Sequence, residues 1–205
     1  MYNATSKPSL DTRRHLSGAR AGDGASWEGL LRRVDARLEV LARFRCAPHG
    51  VGTLQVDDLL QEVHLEMVRT LARFEYRGPG SLQRWAASIL TNKLRNARRR
   101  GRRLPANATD LVPPGEAAKR ANGLHEALLA RSSTPSRVAL DREAVARVSQ
   151  TLAALRPELR EAVLLRLYEG LSNHEAARRV GVSDSVLSER YHTALQACGR
   201  PLRDG

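Results

Sequence analysis

The sequence predicts an all-α protein made of two small helical domains joined by a flexible linker. Leu, Ala, Arg and Glu are abundant among its 205 residues, and runs of β-branched residues are nearly absent, which favours helices over strands. Apolar residues also recur at steps of three and four along several stretches, as on one face of a helix. Finally, residues 104–135 carry four prolines among Asn, Ala, Thr and Gly, a composition typical of a linker between domains.

The chain is strongly basic. Its net charge is +12 and its isoelectric point is about 11.0, so a nucleic acid is the expected partner and an anionic membrane surface the less favoured one. No apolar run approaches the ~20 residues that span a bilayer, and the N-terminus lacks the apolar segment of a signal peptide. We therefore expect a cytoplasmic protein without membrane insertion. Cys46 and Cys198 have no further cysteine or histidine at ligand spacing, which predicts free thiols and no metal site.

The N-terminal part of the chain divides into a polar tail and one helix. Residues 1–24 are rich in Ser, Gly and Arg, and we expect them to be disordered. Ser26 can cap a helix in which apolar residues recur from Leu30 to Leu41. Pro48 and the glycines that follow it end this helix in a loop.

The next helix is expected from Val56 to Phe74, and it carries an acidic face in this basic protein. Asp58, Glu62 and Glu66 stand four residues apart, so they share one face of the helix. Two interpretations remain open. Carboxylates near a helix start often serve only to cap and solvate it, or this face docks a basic surface of a partner.

A third helix follows a Gly-Pro-Gly turn and ends in a cationic run. Ser81 can cap it, Trp85 stands near its start, and no acidic residue lies between Thr91 and Arg103. Crowded like charges repel one another unless a polyanion neutralises them, and a ring beside such a track can stack an unpaired base. The alternative is a solvated basic tail with Trp85 in the core. The cationic residues are Lys93, Arg95, Arg98, Arg99, Arg100, Arg102 and Arg103.

The sequence predicts a second helical domain over residues 136–205. Ser136 can cap a helix whose apolar residues recur at helical spacing up to Leu155. Pro157 opens the next helix, because proline fits a first turn, and Gly170 ends it.

The last part of this domain has the layout of a helix-turn-helix. Ser172 and Glu175 form the capping-box signature of a short helix, Gly181 makes the turn, and Ser183 or Asp184 caps a longer helix. In such a motif the second helix enters the major groove by its N-terminal end. A purely structural helix pair can share the pattern. Inward positions of the longer helix are expected at Val186, Leu187, Tyr191, Ala194 and Leu195.

Two stretches resemble one known family. DDLLQEVHLEMVRTLARF, followed after the turn by SLQRWAASILTNKLRNARRR, resembles region 2 of bacterial RNA polymerase sigma factors of the sigma-70 family, most of all the small extracytoplasmic-function (ECF) type. LRPELREAVLLRLYEGLSNHEAARRVGVSDSVLSERYHTAL resembles region 4. The resemblance therefore implies a region 2-like domain over residues 25–103 and a region 4-like domain over residues 136–205.

The resemblance also implies a function. Members of this family bind core RNA polymerase and direct promoter recognition and melting, with no enzymatic activity and no cofactor of their own. Region 2 docks on the β′ clamp helices of polymerase and holds the melted −10 strand, while region 4 meets the β flap and reads the −35 element as duplex DNA. The family leaves an anti-sigma factor open as a further partner.

Each role carries over to residues of this sequence. Core-polymerase binding is expected at Asp58, Leu59, Gln61 and Glu62. Binding of the −10 strand is expected at Arg84, Trp85, Ser88, Asn92, Lys93, Asn96, Arg98, Arg99 and Arg100. Binding of the −35 element is expected at the outward positions Asp184, Ser185, Ser188, Glu189, Arg190 and Thr193.

The sequence departs from the family pattern at the start of the reading helix. Asp184 and Glu189 repel phosphate, although a carboxylate can accept from the N4 amine of cytosine, so the −35 sequence stays open. Two other functions remain as alternatives. One is a helix-turn-helix transcriptional regulator that binds duplex DNA as a dimer without polymerase. The other is a metal-dependent nuclease whose carboxylates would come from the acidic helix.

Overall fold

The fold is entirely helical in the residues that the structure describes. The structure is a computed structural model describing residues 6–46, 56–103 and 135–199. These ranges contain nine α-helices and no strand, so the all-α class is confirmed. The helices are α1 (Ser6–Arg20), α2 (Gly24–Leu31), α3 (Asp35–Cys46), α4 (Val56–Thr70), α5 (Ser81–Arg103), α6 (Pro135–Ala154), α7 (Pro157–Val163), α8 (Asn173–Val180) and α9 (Asp184–Gly199). The expected loop at Pro48 lies outside the described residues, and so does the expected linker over residues 104–135 except for Pro135, which begins α6.

The N-terminal segment corrects the prediction of a disordered tail over residues 1–24. From Ser6 onward the chain forms α1, which packs on α2 with Leu16 and Ala19 buried. Two apolar residues three positions apart are too short a stripe to indicate a helix in a segment rich in Ser, Gly and Arg. The helix therefore depends on its contact with α2 rather than on its own sequence.

The helix expected from Ser26 is divided in two. Asp23, not Ser26, caps α2, because its carboxylate accepts from the backbone N–H groups of Ala25 and Ser26. A turn between Leu31 and Asp35 separates α2 from α3. Residues on both sides of the turn are buried in one core, and for this reason the apolar residues keep a helical spacing although the helix is interrupted. These residues are Trp27, Leu30, Val34, Leu38 and Leu41.

Helices α4 and α5 lie against each other and complete the first helical unit. Leu59, Val63 and Met67 of α4 are buried in the same core as Leu82, Leu90 and Leu94 of α5. A short 3₁₀ turn, Leu71–Arg73, follows α4, and the chain then becomes extended at Phe74. The expected turn before α5 is present, with Gly78 and Gly80 at positive φ.

The second unit contains the expected helix-turn-helix. Ser172 and Glu175 exchange both hydrogen bonds of a capping box at the start of α8, and Gly181 makes the turn with φ of 73°. Leu187 and Ala194 of α9 are buried as expected. The expectation is wrong for Val186 and Leu195, which are 36% and 40% exposed, because α9 buries a narrower stripe than its apolar spacing indicates.

The first unit shares one core with part of the second, whereas the helix-turn-helix also has a small core of its own. Val145 and Leu152 of α6 are buried in the same cluster as the apolar residues of α1 to α5, and α6 packs along α3. Between α7 and α8 the chain makes a π-helical turn, Leu164–Tyr168, which also contacts α3 and α5. The apolar surface of α3 is therefore large enough to pack against both α4 and the second unit.

Candidate nucleic-acid interface

One face of α5 carries most of the residues expected to hold a DNA strand. Arg84, Ser88, Asn92 and Asn96 stand four residues apart and are all exposed, so they form a row about 18 Å long at about 1.5 Å per residue. Arg99 is exposed further along the helix. The side chains of Arg98 and Arg100 lie outside what the structure describes. The row presents amide, hydroxyl and guanidinium donors, which suit phosphate and base edges.

Trp85 lies at the edge of a cavity where this row begins. Its ring stacks on Phe74 with the ring centroids 4.6 Å apart and the planes at 30°. The cavity has a volume of about 620 Å³, within the range of pockets that hold a small ligand. We call it the Trp85 cavity; its lining includes Arg73, Phe74, Pro79, Ser81, Arg84, Trp85 and Ser88. The half-buried ring therefore packs on Phe74 and also borders open space, and its stacking on an unpaired base stays a prediction.

The resemblance implies that the loop before α5 helps to hold the −10 strand, but the expected site residues include none from that loop. Arg73, Phe74 and Pro79 line the Trp85 cavity opposite α5, although none of them was an expected site residue. The signal that could have found them is the pair of glycines flanking Pro79, because such a turn folds back over the start of the next helix.

The acidic face of α4 is only partly as expected. Asp58 and Gln61 are exposed and Glu62 is half-exposed, so a partner can reach all three. Leu59 is 1% exposed and belongs to the core, so its contact with polymerase stays a prediction that this burial does not favour. Helical geometry explains the burial, since the residue directly after Asp58 lies about 100° further around the helix axis, on the inward side.

Lys93 joins this acidic face to α5. Its Nζ lies 3.6 Å from Glu62 Oε2 and 3.5 Å from Glu66 Oε2. In this structure Lys93 therefore pairs with carboxylates of α4 rather than lying in the exposed row of α5. These partly exposed pairs stabilise the helix contact by less than about 1 kcal/mol.

The reading helix α9 presents most of its expected residues to the outside. Ser185, Glu189 and Thr193 are exposed, while Ser188 and Arg190 are half-exposed. Asp184 has partners within the motif, because its backbone oxygen accepts from Asn173 Nδ2 at 2.7 Å and its carboxylate lies 3.4 Å from His174 Nδ1.

A charged cluster fastens the second unit to the first. Arg45 donates to Glu161 Oε2 at 2.7 Å and to Glu169 Oε1 at 2.7 and 3.0 Å. Arg179 lies 3.5 Å from the other oxygen of Glu169, which is 5% exposed. Burial alone would lower the pKa of Arg45, but the hydrogen bonds and charges of the two glutamates outweigh it and raise the pKa above its ordinary value. We call Arg45, Glu161, Glu169 and Arg179 the inter-unit clasp.

The clasp brings the second unit onto part of the α5 row. Gly170 lies against the side chain of Arg84, and a small cavity of about 130 Å³ separates Ser88 and Asn92 from Glu169 and Arg179. The pKa of Glu175 is lowered mainly by its hydrogen bonds with Ser172, and the charge of Arg84 adds to this. Sequence reasoning had no signal for these contacts, because Arg45 and Glu169 are 124 residues apart.

The described ranges contain neither a metal cluster nor a membrane-spanning helix. Within residues 6–46, 56–103 and 135–199, no group of three or more His, Cys, Asp or Glu side chains could hold a metal ion. In the same ranges no helix has both the length and the apolar composition needed to cross a membrane.

Comparison with known proteins identifies the family. The family model "Sigma-70 region 2" matches residues 30–104, and "Sigma-70, region 4" matches residues 146–198. The RNA polymerase sigma-H factor of Pseudomonas aeruginosa is 31% identical over 150 residues, which cover 73% of this chain and 74% of that protein. This chain belongs to the sigma-70 family of RNA polymerase sigma factors.

Other relatives place it among the ECF sigma factors. It is 27% identical to the ECF sigma factor SigD of Mycobacterium tuberculosis over 88% of this chain and 79% of that protein. It is 28% identical to the ECF sigma-E factor of Escherichia coli over 86% of each chain. Among solved structures, CnrH in complex with the cytosolic domain of CnrY aligns at 22% identity and a TM-score of 0.44, covering 95% of this chain and 99% of that one.

The assignment gives the two helical units their family names. Residues 30–103, from the end of α2 through α5, are sigma region 2, and α6 through α9 contain region 4. Helix α1 lies before the part that the region 2 model matches. As a sigma factor, the protein acts with core RNA polymerase and promoter DNA in the initiation of transcription.

Proposed function

We propose that this sigma factor holds the separated −10 strand along the exposed row of α5, with an unpaired base in the Trp85 cavity. The supporting observation is the continuity of the two features: Arg84 and Ser88 belong both to the row and to the lining of the cavity. A strand whose phosphates follow the row would bring a base to the Phe74–Trp85 pair. Stacking on such rings contributes about 1–3 kcal/mol per base.

The arginines of α5 supply affinity without sequence information. Arg84, Arg95 and Arg99 are exposed. For a single strand, each phosphate that they contact makes the binding constant fall by about 0.7 log units for every tenfold increase in salt. Unstacking and unpairing a base costs a few kcal/mol, more than these contacts return by themselves. Core polymerase therefore supplies the remainder, and the free chain is expected to bind promoters weakly.

The accessible polar face at the start of α4 is the proposed docking surface for polymerase. Asp58, Gln61 and Glu62 meet the β′ clamp helices in this proposal, whereas Leu59 supports the helix from inside. The surface suits a basic partner, because Lys93 balances only part of its charge.

Region 4 is proposed to read the −35 element with α9 and to meet the β flap of polymerase. Ser185, Ser188, Arg190 and Thr193 supply the donors for phosphates and base edges. Asp184 instead holds α8 and α9 together through Asn173 and His174. The site of action is the cytoplasm, and an anti-sigma partner stays a prediction.

The experiment is co-elution with core polymerase followed by transcription in vitro from a pool of genomic promoters. Glu62→Lys should lose co-elution while circular dichroism stays unchanged. Glu143→Lys, at an exposed position of α6, is the matched control and should bind as the unaltered chain does. If the unaltered chain does not co-elute with polymerase and binds duplex DNA as a dimer, the proposal is refuted and a helix-turn-helix regulator is favoured.

A further inference from the structure

Helix α1 contacts the stretch of chain that lines the Trp85 cavity on the side away from α5. We call this stretch, from Arg73 to Pro79, the wall of the cavity. The Arg20 guanidinium donates to the backbone oxygen of Phe74 and, at 3.5 Å, to that of Leu71. The guanidinium of Arg13 lies 5.2 Å from the centroid of the Tyr76 ring. Both contacts come from a helix outside the residues that the region 2 model matches.

Arg20 supplies a partner for the carbonyl of Phe74 and a second, longer bond to that of Leu71, which also accepts from the backbone N–H of Phe74. The last carbonyls of a helix have no partner inside it, and here α4 ends in a 3₁₀ turn before the chain becomes extended at Phe74. A cationic donor suits this position, because it also meets the negative end of the helix dipole. Tyr76 is followed by Arg77, Gly78, Pro79 and Gly80 before α5 begins. The Ser81 hydroxyl donates to the backbone oxygen of Gly78 at the end of this stretch, and the contacts from α1 hold it at its start.

Helix α1 packs tightly against α2. Gly18 and Gly29 let α1 and α2 approach closely: a Cβ on Gly18 would lie 2.1 Å from Ser26 Oγ, and one on Gly29 would lie 2.1 Å from His15 Cδ2. Thr12 of α1 is also buried. A helix seated by such close contacts can hold a guanidinium in a fixed place, which a loosely attached tail could not do.

We propose that α1 is a positioning element for the −10 site, in which Arg20 keeps the Phe74–Tyr76 segment in place so that the Trp85 cavity is open to an unpaired base. Arg20 acts through the backbone of the wall and does not itself contact DNA. The DNA part of this inference rests on the proposed function, whereas the part concerning the wall can be measured without polymerase.

The first measurement is acrylamide quenching of tryptophan fluorescence in the full chain. The chain has two tryptophans, and Trp27 is 2% exposed, so quenching reports mainly on Trp85. Arg20→Ala should raise the quenching constant about twofold. Arg20→Lys, which keeps one donor, should restore part of the difference, and Arg14→Ala, at an exposed position of α1, should leave quenching unchanged.

The second measurement is promoter opening by holoenzyme, followed by permanganate reactivity of −10 thymines on a promoter found in the transcription experiment. Arg20→Ala removes charge-assisted hydrogen bonds to the wall, and losing such bonds is expected to reduce opening about tenfold. Binding of core polymerase and of −35 duplex should stay within twofold. Arg14→Ala should open promoters as the unaltered protein does.

The outcomes separate the two proposals. Equal quenching and equal opening in Arg20→Ala and Arg14→Ala would overturn the role of α1 alone. So would an Arg20→Ala chain that loses −35 binding in parallel with opening, because that pattern indicates general unfolding. A third outcome is that the unaltered protein does not support transcription although Arg20→Ala still changes the quenching. This would refute the proposed function and the DNA part of the inference, but not the positioning of the wall by Arg20.

Discussion

Replacing Arg45 with alanine is expected to weaken the contact between regions 2 and 4. The guanidinium makes three hydrogen bonds, of 2.7, 2.7 and 3.0 Å, to carboxylates of Glu161 and Glu169. Removing it leaves Glu169, whose side chain is 5% exposed, with Arg179 at 3.5 Å as its remaining cationic partner in the clasp. The clasp is therefore the contact between the two regions that a single substitution tests best.

The magnitude follows from burial. Breaking a fully buried pair costs about 3–5 kcal/mol. The side chains of Arg45 and Glu161 are 21% and 32% exposed, and Arg179 retains part of the attraction, so we expect about 2–3 kcal/mol in the free energy of unfolding. The neighbouring Arg43 pairs with Glu39 on the surface of α3, and Arg43→Ala should cost below about 0.5 kcal/mol.

Urea unfolding and small-angle X-ray scattering are the assays for this pair of variants. Arg45→Ala should lower the midpoint of unfolding and increase the radius of gyration as region 4 leaves α3, while Arg43→Ala changes neither. Because the contact lies over part of the α5 row, Arg45→Ala should also bind single-stranded DNA more tightly in the absence of polymerase. Equal unfolding of the two variants, with unchanged scattering, would refute the reasoning.

Three smaller predictions follow from other contacts. Leu59→Ala should cost about 2–5 kcal/mol of stability because the side chain is fully buried, yet the folded fraction should bind polymerase normally; lost affinity without lost stability in a pull-down would contradict this. Lys93→Ala should lower single-strand affinity in an anisotropy titration less than Arg95→Ala does, because Lys93 pairs with Glu62 and Glu66. The pKa of Glu175 lies below its ordinary 4.5, so its capping box stabilises the folded chain above about pH 4.5 and loses this contribution as pH falls further. Glu175→Gln should therefore unfold with a weaker dependence on acid pH, and an unchanged dependence would count against the box.

The sequence was sufficient for features that depend on neighbouring residues. The capping box of Ser172 and Glu175, the turn at Gly181 and the break at Gly78 are local chemistry, so each could be predicted from a few adjacent letters. The alternation that buries Leu82, Ile89 and Leu94 in α5 while exposing Arg84, Ser88 and Asn92 is equally local, because it follows from 3.6 residues per turn.

Features that depend on distant partners could not be predicted in this way. Helix α1 forms because α2 offers it a surface, and that surface requires Gly18 and Gly29, which appear in the sequence only as helix-weakening residues. The same limit applies to Lys93, whose charge suggested DNA although two carboxylates of α4 surround it. Leu59 was assigned through the family motif rather than through its own helical position, which places it in the core.

The most direct test of the −10 site is a photo-crosslinking residue introduced at Ser88, which is exposed on α5 and lines the Trp85 cavity. In the holoenzyme on a promoter, the account predicts crosslinks to one strand, confined to the −10 segment, appearing together with permanganate-reactive thymines. Crosslinks to both strands of unopened duplex, or crosslinks that do not depend on opening, would contradict it.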